Sequence, residues 1–117
     1  MVVTTDAKEQ IVSFLAGNSV TAPTHIAMGT GTSAGNTENT ALDTENVRLT
    51  FSETTIKGTE VSYTAILKAT QGSGVTYSEF GLLNASSSGT LFQRTTFANI
   101  TKTTNFEIQV TVTLRLD

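Results

Sequence analysis

From Phe106 onward apolar and polar residues alternate with a period of two. Phe106, Ile108, Val110, Val112, Leu114 and Leu116 fall on one face, and Glu107, Gln109, Thr111, Thr113 and Arg115 on the other. That pattern predicts a long strand with one buried side. Val47, Leu49 and Phe51 repeat it on a smaller scale, followed by a turn at Lys57-Gly58-Thr59, and so do Val61, Tyr63, Ala65, Leu67 and Ala69, followed by a turn at Gln71 to Gly74. Further strands are expected over Val75 to Leu83 and Thr90 to Phe97, with the Ala85 to Gly89 tip between them. Upstream, Pro23 introduces a strand over Thr24 to Gly29, with Ile26 and Met28 on one face and His25 and Ala27 on the other.

Helical periodicity is confined to Asp6 to Ala16, where Ile11, Val12, Phe14 and Leu15 form an apolar stripe beside Lys8, Glu9, Gln10 and Ser13. Asp6 with Glu9 resembles a capping pair, and Gly17-Asn18 marks the stop. A helix this short is marginal alone, so its stripe is expected to dock on its own sheet or on a neighbouring subunit. Residues 31–44 read as a long polar loop whose apolar residue of consequence is Leu42. Strands joined by Gly- and Ser-rich turns, without intervening helices, predict an all-β fold: an antiparallel β-sandwich with one short N-terminal α-helix, in a single domain over residues 1–117.

Composition reinforces this reading. The chain has 24 threonines and ten serines, and Thr, being β-branched, favours pleated surfaces. Charged residues make up only 15%. Monomers normally protect exposed sheet edges with charge, so a charge-poor β protein predicts subunits that cover one another, as in a homo-oligomer. The net charge of −3 and the scattered Lys and Arg supply no basic stripe for nucleic acid. No apolar run is long enough to insert in a membrane, and the N-terminus lacks the pattern of a secretion signal. Without cysteine there is no disulfide framework and no thiolate chemistry.

Candidate chemistry is sparse, and the sequence is read as non-enzymatic, with no catalytic, cofactor or metal residues assigned. His25 is the one histidine and takes no role in this reading. Gly29-Thr30-Gly31-Thr32 lacks the lysine and the following helix that a phosphate-binding loop needs, and is read as a tight strand exit with glycines at positive φ. Glu38, Asp43 and Glu45 do not follow calcium-loop spacing and are read as a solvated loop. Asn84-Ala85-Ser86 and Asn99-Ile100-Thr101 match a glycosylation pattern that Ser- and Thr-rich chains produce by chance. Three charges inside strands stand out: Arg48, Glu79 and Arg94. Glu79 is expected to pair with Arg48 or Arg94 and fix strand register, against the alternative of three independent surface charges.

Two groups of segments carry a resemblance. Pro23 to Thr32, with Thr40 to Glu45 and Arg48, resembles the opening of small structural proteins of tailed bacteriophages and prophages. Ser78 to Asn84, Gly89 to Arg94 with Phe97, and Ile100 to Thr103 are similar to the second half of the same pattern, which spans roughly residues 20–104. The resemblance implies a virion component of the tail, baseplate or fibre region, made in the host cytoplasm and assembled with other virion proteins. A capsid decoration protein is one alternative. A module binding host-surface glycans is another, which two tyrosines and no tryptophan make harder to build.

Overall fold

The computed structural model describes residues 2–116. In chain order the elements are β1 (Val2–Val3), α1 (Thr5–Leu15), β2 (His25–Gly29), β3 (Glu45–Thr50), β4 (Glu53–Lys57), β5 (Glu60–Leu67), β6 (Thr76–Leu83), β7 (Leu91–Thr101) and β8 (Ile108–Arg115). They form two antiparallel sheets, one ordered β1-β7-β6-β2-β3 and the other β4-β5-β8. The fold is thus an all-β sandwich with one short N-terminal helix. Its core lies between the sheets, where Ile26, Met28, Leu49 and Leu82 of the larger meet Tyr63, Ala65, Val110 and Val112 of the smaller. Phe51 and Tyr63 stack with ring centroids 4.8 Å apart.

The turn at Lys57 to Thr59 is present and closes a hairpin between β4 and β5, but the strand after Thr44 is not one of its arms. β3 pairs with β2 in the larger sheet, and the chain then crosses at Phe51-Ser52 to the smaller, where β4 pairs with β5. The Ser52 amide donates to the Thr64 carbonyl at 2.8 Å and anchors the crossing. β4 has one apolar residue, Ile56, and every position in it is exposed, so no alternation marked it as a strand. β7 extends past Phe97 to Thr101, and β1 was not anticipated because two residues carry no periodicity.

The helix begins one residue before Asp6, at Thr5, with Thr4 rather than Asp6 as its N-cap. The Thr4 hydroxyl accepts from the Ala7 amide at 3.1 Å, and the Thr4 amide donates to the Phe92 carbonyl at 3.0 Å. Only Ala7 of the helix is buried. Of the apolar stripe Ile11 is half-buried, whereas Val12, Phe14 and Leu15 are 65%, 62% and 77% exposed and do not dock on the sheet.

In an antiparallel sheet, residues directly opposite share a face. The register places Arg48, Ala27, Gly81 and Arg94 in one row on the face turned away from the smaller sheet. Loop residues fold back over this face, and Leu42 packs with Ala27, Leu83 and Leu91 in a second, smaller apolar cluster. The room for it comes from Gly81, where a Cβ would stand 2.9 Å from Leu42 Cδ2 and 2.8 Å from Leu91 Cδ1. The central strands β2 and β6 are therefore buried on both sides.

Candidate functional site

The most concentrated polar arrangement in the chain lies under that loop. The register of β6 against β7 shifts between Tyr77 and Glu79. Tyr77 belongs to the inter-sheet core, with its hydroxyl on Asn46 Oδ1 at 2.8 Å, while Glu79 faces the loop instead. An irregular register is a common device for re-aiming a side chain in this way.

The fully buried Glu79 carboxylate accepts four hydrogen bonds. Oε2 takes the Gly31 amide at 2.7 Å and the Thr44 amide at 2.9 Å, and Oε1 takes the Asp43 amide at 3.0 Å and Arg94 Nε at 2.9 Å. Gly31 opens the loop and Asp43-Thr44 close it, so one carboxylate holds both ends. Arg94, also buried, reaches Asp43 Oδ2 with its Nη2 at 3.2 Å, in ion-pair range but without hydrogen-bond alignment. Burial pushes the Glu79 carboxyl up, but the bonds from Thr44, Arg94, Asp43 and Gly31 outweigh it and hold the group below the ordinary glutamate value. The Ser33 hydroxyl and amide lower Asp43, against some desolvation, and the Arg94 charge adds to the lowering.

The rest of the loop is tied down by its own short polar residues. Ser33 bonds Asp43, Asn36 and Asn39 bond each other's backbone, and Glu38 accepts from the Thr5 hydroxyl at 2.8 Å. Ser78 donates to the Gly31 carbonyl at 2.6 Å. The loop covers the sheet through buried Gly31 and Leu42, while Glu38, Asp43 and Glu45 stay exposed, in line with the solvated loop expected of those three residues. Gly29 and Gly31 do not have the positive φ expected of a tight exit. Their requirement is space, since a Cβ at Gly29 would meet the Thr44 carbonyl and one at Gly31 would meet Asp43 and Glu79.

Of the three charges singled out in strands, the structure brings Glu79 and Arg94 together and leaves Arg48 elsewhere. Arg48 bonds Glu45 through Nε at 2.8 Å and Nη2 at 2.7 Å, while its Nη1 donates to the Ala85 and Ser88 carbonyls, each at 2.9 Å, and fastens the tip between β6 and β7. The reason is topological: β7 is next to β6, whereas β3 lies two strands away, about 10 Å. The place of Asp43 beside Arg94 carries no sequence signal. Glu38, Asp43 and Glu45 each face a different partner, and among the described residues no group of three or more His, Cys, Asp or Glu is arranged to hold a metal. His25 rests against the Thr24 hydroxyl, Nδ1 to Oγ1 2.8 Å.

Lys102 is a second buried cation, and the sequence reading passed over it. Its Nζ donates to the Ala69 carbonyl at 2.9 Å and the Thr103 carbonyl at 2.7 Å, and stands 5.4 Å from the centre of the Phe106 ring. It clamps the β5–β6 connection to the segment leading into β8.

Fold and polar centre together define an antiparallel sandwich whose buried charges are spent on holding loops. No family model, curated protein or solved structure matches the chain.

Proposed function

We propose that this chain is a non-enzymatic structural subunit of a phage-type virion, placed in the tail, baseplate or fibre region and working by assembly with other virion proteins. The observation that carries the assembly reading is the bare apolar side of α1. Val12, Phe14 and Leu15 lie exposed on a helix whose start is anchored by the Thr4 cap and the Thr5 amide on the Thr37 carbonyl. Exposed apolar groups clustered on a fixed element favour contact with another protein surface. The buried Glu79–Arg94 pair supports a structural role for the polar centre, because its carboxylate is already saturated with donors and closed to solvent. The virion part of the proposal rests on the resemblance of residues 20–104 to small tailed-phage structural proteins.

The test is quantitative mass spectrometry of purified particles from a host carrying the gene, together with labelling of the protein in electron micrographs. The expected outcome is a handful to a few dozen copies per particle, located on the tail. Hundreds of copies on the head would move it to capsid decoration, and absence from particles would overturn the virion reading.

A further inference from the structure

A sheet edge presents unpaired amides and carbonyls, and soluble proteins normally protect it with brevity, charge, bulges or proline. Three of the four edges here are protected. β1 has two residues and covers only Gln93 and Arg94 of β7, whose open remainder to Thr101 is broken by a register shift against β6; β3 has a register shift against β2 and carries Glu45 and Arg48, and β4 is five residues long with Glu53 and Lys57 at its ends. β8 has none of these. It runs eight residues in unbroken register with β5, and its one charge, Arg115, is at its end.

The phase of the ladder fixes which groups of β8 are free. Leu116 donates its amide to the Thr59 carbonyl at 3.0 Å, which makes the even-numbered residues the ones hydrogen-bonded to β5. The Ser52 amide on the Thr64 carbonyl gives the same phase, since Thr64, opposite Thr111, turns its carbonyl toward β4. Gln109, Thr111, Thr113 and Arg115 therefore direct their amides and carbonyls outward. Beside this edge lies a mainly apolar groove of ≈ 260 Å³, where Met28, Phe80, Phe97 and Ile100 of the larger sheet face the Ile108 to Thr111 segment of β8, Gln109 and Thr111 included.

We propose that β8 is a docking edge that pairs antiparallel with β8 of a second copy of this chain, Thr111 meeting Thr111 on the two-fold axis. The inference deepens the assembly reading above and rests on it. An antiparallel self-pairing through the outward groups must match odd-numbered residues with odd-numbered ones. In the register centred on Thr111, Arg115 stands opposite Glu107 of the second copy and Thr113 opposite Gln109. On the core side Val112 meets Val110 and Leu114 meets Ile108, and Leu116, 64% exposed, comes opposite Phe106, which lies two residues before β8 with its ring beside Lys102 Nζ. Charge meets opposite charge and apolar meets apolar along the whole edge. Registers shifted by a residue at the axis place Arg115 opposite Gln109 or beyond Glu107. Arg115 is free to take a second carboxylate, being 59% exposed while bonded to Glu60. The apolar side of the incoming strand lies beside the groove, covering Phe97 and Ile100.

The chain lacks cysteine, so a single introduced thiol reports cleanly. In Thr111→Cys the two thiols would face each other across the axis, with Cα atoms about 5.5 Å apart, within disulfide reach. Thr113→Cys would hold them roughly 15 Å apart, four residues of about 3.4 Å along the strands and about 5.5 Å across. Under mild oxidation of the full chain, Thr111→Cys is expected to cross-link and Thr113→Cys to stay uncross-linked. Thr111→Pro removes an outward amide and the exposed bond between the Thr111 and Thr64 hydroxyls at 3.1 Å, but no backbone bond to β5, so the ladder should survive, as circular dichroism would check. The dimer dissociation constant, measured by analytical ultracentrifugation, should rise by at least ~100-fold. A wild-type chain that remains monomeric at about 1 mM, where Kd values near the weak limit still register, overturns the β8 pairing. So does a folded Thr111→Pro variant that dimerises unchanged, or cross-linking that is equal at both positions. None of these results touches the virion reading, whose own test is presence in purified particles.

Discussion

Glu79 is the residue on which most of the loop depends. Replacing its carboxylate with an amide, Glu79→Gln, keeps the shape but turns one acceptor oxygen into a donor facing other donors, and removes the charge opposite buried Arg94. We expect a loss of about 3 kcal/mol in urea unfolding, at the lower end for a broken buried pair because Asp43 still stands near the guanidinium. The same group predicts the acid response. Its folded pKa lies below its unfolded value, so its stabilising contribution is complete above the unfolded value and is lost as pH falls through the folded one. Urea midpoints should hold steady from neutrality down to about pH 5, then fall below about pH 4, and the fall should be shallower in Glu79→Gln. Gln93 offers the opposite sign. Its buried Oε1 accepts from the Thr95 hydroxyl at 2.9 Å, but Nε2 has no partner among the described residues. Gln93→Met should therefore be neutral or raise the melting temperature in calorimetry, since it removes an orphaned donor and keeps the volume.

Among the elements, α1 combines a firm start with an uncovered end. Thr4 caps the helix and ties it to β7, so Thr4→Ala should cost about 1–2 kcal/mol and reduce the helical signal in circular dichroism. Phe14→Ser, at an exposed position, should leave the stability of the isolated chain within about 0.5 kcal/mol. If α1 is an assembly element, the same substitution should deplete the protein from purified particles. This split between stability and incorporation separates a docking residue from a core residue. The two halves of the helix also differ in legibility. The apolar stripe was visible in the periodicity of Ile11 to Leu15, but its lack of an internal partner was not, because periodicity records that a face is apolar and not where a surface exists to meet it. β4 was invisible for a related reason: Glu53-Thr-Thr-Ile-Lys has nothing to alternate, and it is a strand only because β5 offers an edge to pair with.

At the scale of the molecule, the sheets are built from distant segments. β8 returns to pair Arg115 with Glu60, and β1 pairs Val2 with Arg94. Loop closure over such separations precedes the contacts that reward it, so refolding in stopped-flow measurements should be slow for the size, at roughly 1–100 per second. The sheets are also unequal, and the mainly apolar groove lies between the larger one and the β8 edge. A sandwich of this shape has its least protected edge and its uncovered inner face in the same place.

The sequence by itself determined the β architecture, the single helix and the faces of the long strands, because period-two and period-3.6 patterns are local and survive in any tertiary context. It also marked Glu79 and Arg94 as unusual, since charges inside strands carry a cost that something must offset. Tertiary structure alone decided that Arg94 rather than Arg48 meets Glu79, because strand order sets which side chains are neighbours and a local pattern holds no information about order. It decided equally that the polar loop is a fixed cover, since the carboxylate joining its two ends comes from a strand 35 residues beyond Thr44. The β8 edge needed both: the sequence supplied its alternation, and the ladder to β5 determined which of its backbone groups remain free.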